Sequence, residues 1–195
     1  MNPILIAPFS NSGIRDWPST SFCALVGLLL EQINDDTPIV VIGTGNQKIR
    51  ANEIVRSFPT SRVINACGRL SWAAMVSQLQ SAACVIGNNS GVSHLGGYFG
   101  VPTVCIFGAS HQRHEWRALG LSVVLVTRSI GCSPCQLDHG QVSPYDKACL
   151  REIKPQSVAD AAFKIMKRVT KMRHEGLMAS GGRNDARAGS ERTGW

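Results

Sequence analysis

The stretch CVIGNNSGVSHLGGYFGVPTVCIFG, residues 84–108, holds a complete folding unit. It opens on an apolar, β-branched run at 84–87, turns through Asn88, Asn89, Ser90 and Gly91, keeps helical spacing to residue 99, and re-enters an apolar run at 103–107. Apolar runs without polar alternation mark strands buried on both faces, the habit of a parallel sheet. Working outward, similar runs recur at 4–7, 39–42, 62–65 and 123–127, so six buried strands are expected. Helical patterns fall between them at 21–33, 47–58, 71–81 and 91–99, with Ser71 placed as an N-cap. This alternation predicts an α/β domain with a doubly wound, Rossmann-like parallel sheet covered on both faces. Beyond it, 128–150 predicts a long ordered loop, 155–173 a last helix opened by Pro155, and 174–195 a disordered basic tail.

Composition narrows the function. With 44% apolar and 17% charged residues, 195 residues suit one soluble domain and leave no room for two large ones. The net charge of +7 is uneven: residues 1–163 carry 12 basic and 10 acidic side chains, and 164–195 carry 8 and 3. The body is therefore nearly balanced, which argues against a nucleic-acid partner. The basic tail is either a solvated segment or a contact with anionic lipid, where each Lys or Arg contributes about 1 kcal/mol. The longest apolar run, Phe22 to Leu30, is far short of the roughly 20 residues that cross a bilayer. Cys23, Cys67, Cys84 and Cys105 sit in apolar runs and read as buried thiols, so the expected compartment is a reducing cytosol, with peripheral attachment to the inner membrane left open.

Ligands of open parallel sheets bind beyond the carboxyl ends of the strands, where helix N-termini present free N–H groups. Gly43-Thr44-Gly45-Asn46-Gln47-Lys48 begins like a dinucleotide fingerprint but ends in Lys, and no Walker sequence is present, so a dehydrogenase or P-loop NTPase is not expected. The loop after the first strand offers Ser10, Ser12, Gly13 and Arg15, a set suited to phosphate oxygens or equally to a capped turn. After the fourth strand, Ser90 is placed to cap a helix, Gly91 to admit a ligand to the backbone, and His94 to face the crevice one turn on. After the fifth, Gly108-Ala109-Ser110 runs into His111, Arg113, His114, Trp116 and Arg117, either a pyrophosphate rest or a solvated loop.

Together these residues resemble the donor-binding half of the family nine glycosyltransferases, best known for ADP-heptose:lipopolysaccharide heptosyltransferases. The likeness runs from about Ile4 to Arg168. Its landmarks are Arg15-Asp16-Trp17-Pro18, similar to Lys-x-Trp-Pro; residues 88–95, similar to Asn-Asp-Ser-Gly-x-x-His-Leu; Gly100-Val101-Pro102-Thr103 leading to Phe107-Gly108; and Cys132-x-x-Cys135 followed by Cys149-Leu150. The resemblance implies one lobe, residues 1–173, of a two-lobed GT-B type enzyme binding a nucleoside-diphosphate sugar for transfer to a lipopolysaccharide-type or other glycan acceptor. Ser10, Ser12, Arg15, Asn89, Ser90, Gly91, His94, Gly108 and Ser110 would then meet the diphosphate and sugar. Gly68 and Leu70 would border the base, and Gly45 and Gln47 the ribose.

Two departures matter. The family's usual Asp is Asn89 here, which removes a carboxylate next to the donor and leaves open whether the sugar is heptose or another. The chain also starts at the donor lobe's first strand, so the acceptor lobe and its catalytic base are expected elsewhere: in a separately encoded partner, or lost from a truncated gene. The alternative is a non-catalytic nucleotide- or partner-binding module. Cys132, Cys135 and Cys149, with His139 between them, form either a structural metal site, as in some relatives that hold iron, or a packed thiol-rich loop. No other cofactor is expected.

Overall fold

A computed structural model describes residues 1–33, 36–137, 141–143 and 145–176. Six strands, β1 (Ile4–Ala7), β2 (Ile39–Val41), β3 (Val63–Asn65), β4 (Cys84–Asn88), β5 (Thr103–Phe107) and β6 (Val123–Thr127), form one all-parallel sheet in the order β3-β2-β1-β4-β5-β6. The helices are α1 (Ser19–Gln32), α2 (Lys48–Val55), α3 (Trp72–Ser81), α4 (Gly91–Tyr98), α5 (Arg113–Trp116), α6 (Ala148–Arg151) and α7 (Pro155–His174).

The alternation of side chains along each strand divides the core in two. Ile4, Ile6, Ile39, Val41, Ile86 and Ile106 face a layer with Phe22, Leu25 and Leu29 of α1 and Val158, Ile165 and Val169 of α7. Leu5, Ala7, Val40 and Val85 face the other way, toward Leu79 of α3 and Leu95 of α4. Both faces are thus covered, as the uninterrupted apolar runs require. In α7 the buried Val158, Ala162, Ile165 and Val169 recur at spacings of four, three and four, one stripe of a helix. Each large aliphatic on that stripe contributes about 1.5–3 kcal/mol by burial. Pro155 at the first helical position costs no hydrogen bond, and Lys171, Arg173 and His174 answer the dipole at the far end.

Several expectations need correction. The outer strands are less buried than their apolar runs suggested: β6 is half-buried throughout and Ile64 of β3 is 40% exposed, because a strand at a sheet edge is covered on fewer sides. Cys23 is only half-buried, its thiol near Ser57, whereas Cys67, Cys84 and Cys105 are buried. The segment 128–150 is not all loop, since it ends in α6, and α5 forms where only a loop was expected. The second helix starts with a 3-10 turn, Gly45–Gln47, and ends at Val55. Ser71 does cap α3, accepting from the Ala74 N–H at 3.2 Å. Helix α7 continues through His174, and the rest of the expected tail, 177–195, lies outside the described residues.

Candidate functional site

In this strand order the chain winds outward from β1 in one direction and from β4 in the other, so the loops after β1 and β4 part and leave a crevice. A network around two buried side chains shapes its walls. Asn88, at the end of β4, accepts from the Trp17 N–H at 3.0 Å and donates to the Pro8 carbonyl at 2.6 Å, tying the β1 loop to β4. The Asp16 carboxylate, only 5% exposed, accepts from the Ser10 N–H at 2.7 Å and the Ser10 hydroxyl at 2.8 Å. Its other oxygen meets Arg50 at 3.2 Å, whose guanidinium also lies 4.4 Å from the centre of the Phe9 ring. Trp17 packs edge-on to Phe22 at 4.9 Å and donates its indole N–H to Ile153 just ahead of α7.

Against this frame the residues singled out in the sequence fall into distinct situations. The Ser10 hydroxyl is committed within its loop, to Asp16 and the backbone of Ser12. Ser12 is buried with its hydroxyl unpartnered, and the buried Nε of Arg15 is also without a partner, although the Arg15 guanidinium donates to Asn11. Ser90 stands at the N-cap position of α4, but its hydroxyl makes no capping bond and is likewise unpartnered, correcting the expected cap. Buried polar atoms are nearly always partnered. Three of the six described side-chain atoms that break this rule sit in the two loops of the crevice, and all three can donate to an anion.

Gly91 opens α4 with nothing within 4 Å of where a Cβ would stand, so the helix N-terminus is open to approach. Asn89 is buried and accepts from the His94 ring at 3.1 Å. Burial lowers the His94 pKa below its ordinary 6.5, and with a neutral amide beside it no negative charge restores it. His94 therefore favours folding when neutral: its contribution is present above pH 6.5 and lost as pH falls below that value. In an NMR titration the ring should titrate below 6.5, and Asn89→Asp should raise its pKa by supplying a carboxylate. An unchanged pKa in that variant would separate the two side chains.

After β5, Gly108 lies against Leu150, and Ser110 is buried with its hydroxyl 2.9 Å from Nδ1 of His111. Ala109 is held on both sides: its carbonyl accepts from the Cys135 N–H at 2.8 Å and its N–H donates to the Cys149 thiol at 3.4 Å. Burial, with the other two thiols of the cluster close by, raises the Cys149 pKa. Among the described residues no group of three His, Cys, Asp or Glu side chains is arranged to hold a metal, and His139 lies outside them. The Cys149 thiol and the Cys135 backbone brace the β5 loop.

At the β2 and β3 ends, a Cβ on Gly68 would meet Gly45 Cα at 2.6 Å, and Gly68 has φ +71°, so both close contact and backbone demand glycine. Gln47 spends its side-chain oxygen on the Thr44 N–H, and Leu70 packs on the second core layer. The sequence reading passed over Asn88, Asp16 and Arg50 as site residues. An Asn at the end of a wholly apolar strand, and an Asp before a buried Trp-Pro, were the available signals.

The fold and its crevice define an α/β domain of the doubly wound, Rossmann-like class. Residues 2–145 match the family model "Glycosyltransferase family 9 (heptosyltransferase)", and the chain belongs to that family. It is 26% identical over 158 residues to lipooligosaccharide heptosyltransferase 2 of Campylobacter jejuni subsp. jejuni serotype O:2, covering 78% of this chain and 47% of that protein. In fold it is similar to the E. coli ADP-heptose lps heptosyltransferase II, with a TM-score of 0.71 at 17% identity over 86% of this chain and 47% of that one. It is also similar to a family 9 glycosyl transferase from Veillonella parvula, with a TM-score of 0.69 at 17% identity over 85% and 46%. The chain thus spans about half the length of the relatives it matches.

Proposed function

We propose that this chain provides the donor site of a heptosyltransferase-type glycosyltransferase, binding a nucleoside-diphosphate sugar such as an ADP-heptose. The observation that carries this reading is that three buried, unpartnered donors, on Ser12, Arg15 and Ser90, lie in the two loops that flank the crevice between β1 and β4. The diphosphate would lie against the N-terminus of α4, where amides and dipole favour an anion. Arg15, Ser12 and Ser90 would donate to its oxygens, and the sugar would extend toward Asn89 and His94. The Gly45 and Gly68 loops would border the nucleoside.

In transfer, an acceptor hydroxyl attacks the anomeric carbon, the bond from that carbon to the diphosphate breaks, and the nucleoside diphosphate leaves with the bonding pair. Arg15 and the α4 amides would stabilise the charge on the leaving group. A base must take the acceptor proton, and the family resemblance puts it in an acceptor lobe, joined to this one or separate. A lipopolysaccharide-type glycan is the proposed acceptor, met at the cytoplasmic face of the inner membrane. The proposed transfer draws on no cofactor.

Calorimetry against ADP, UDP and GDP tests this directly. One nucleotide should bind selectively, and Arg15→Ala should weaken it roughly 10- to 100-fold, the worth of hydrogen bonds to a charged group. No heat with any of the three at millimolar ligand would overturn the assignment.

A further inference from the structure

The geometry points to a second anion site, beyond the donor crevice: the cleft between the carboxyl ends of β5 and β6 takes a phosphate monoester. This cleft measures about 300 Å³ and is bordered by Gly108, His111, Arg113, Arg117, Thr127 and Ser129, with Arg128 at its rim. It lies on the β6 side of β5, whereas the donor crevice opens on the far side of β4.

Charge decides what suits it. No carboxylate borders the cleft, although three guanidiniums and two imidazoles do. Arg128 is answered by Glu152 at 2.6 Å, and His114 sits 3.5 Å from Glu115. The Arg113 side chain reaches only a neutral partner, donating to the Ser129 hydroxyl at 2.9 Å, and the Arg117 guanidinium has neither ion pair nor hydrogen bond among the described residues. Two guanidinium forks are therefore uncompensated in one concavity, with the Thr127 and Ser129 hydroxyls beside them. Planar forks match the paired oxygens of a phosphate better than a point charge does. The His111 ring, braced edge-on to Trp116 at 5.2 Å, adds a nitrogen donor. A cleft of this size accommodates a phosphate with a small sugar attached. The phosphate could be carried on a free sugar or on a larger glycan, and the chemistry recognised is the same.

The test is a titration of the full ¹⁵N-labelled chain, first with inorganic phosphate and then with glucose 1-phosphate, reading backbone amides and arginine Nε–H signals. Saturable shifts at Gly108, Arg113, Arg117 and Ser129 are expected, with the sugar phosphate binding at least as tightly as phosphate. The double variant R113Q/R117Q should weaken this binding roughly tenfold or more, and because both side chains are exposed its amide spectrum should stay that of the folded chain. Nucleotide binding at the donor crevice should be unchanged in that variant, which keeps failure here distinct from failure there. Shifts confined to Arg15 and Ser90, no saturation by about 50 mM, or full affinity in the double variant would each overturn the proposal.

Discussion

Replacing Asn88 with alanine should cost about 2–5 kcal/mol, because the buried Trp17 N–H and Pro8 carbonyl would both lose their partner and each unpaired group costs about 1–3 kcal/mol. For a chain of this size that is a fall in Tm of roughly 5–15 °C by calorimetry. The neighbouring Asn89→Ala should cost much less, since the Asn89 side chain meets only His94 and a distant thiol. Two equal melting temperatures would show that the β1 loop is not fastened through Asn88.

A second large effect is expected at Gly97, where two forces oppose each other. Alanine would raise the helix propensity of α4 by about 1 kcal/mol. Its Cβ, however, would stand 2.2 Å from the Leu119 carbonyl oxygen and 2.8 Å from a Val123 methyl, and backbone cannot swing aside as a flexible side chain can. Overpacking of this kind costs about 1–3 kcal/mol or more, so the clash wins and Gly97→Ala should unfold at clearly lower denaturant than the parent chain. Gly91→Ala, six residues earlier in the same helix with open space around it, is the matched control and should be neutral or slightly stabilising. Stabilisation by Gly97→Ala would mean that α4 can move away from the 119–123 segment at little cost.

The inner strands were readable because burial on both faces leaves an uninterrupted apolar run, and β1, β4 and β5 lie where those runs put them. Position within the sheet was not readable. The run at 123–127 is as apolar as the one at 103–107, yet one strand is an edge and the other is enclosed, a difference set by strand order and not by composition. The same division holds at the site. The sequence marked the polar loops after β1, β4 and β5, but a polar residue carries no sign of whether it turns inward or outward. The Ser10 hydroxyl turns toward Asp16, while the Ser12 and Ser90 hydroxyls end without partners, a difference that residue type does not show. The short helix α5 escaped notice because four residues are too few to show a period.

The Trp17 indole reaches forward to the Ile153 carbonyl, and Ala109 is gripped by Cys135 and Cys149. Both anchors come from late in the chain, although the loops they hold follow β1 and β5. The β1 loop is therefore coupled to the segment ahead of α7 through one indole, and the β5 loop to α6 through one thiol, so a displacement at residues 149–153 is transmitted to both loops.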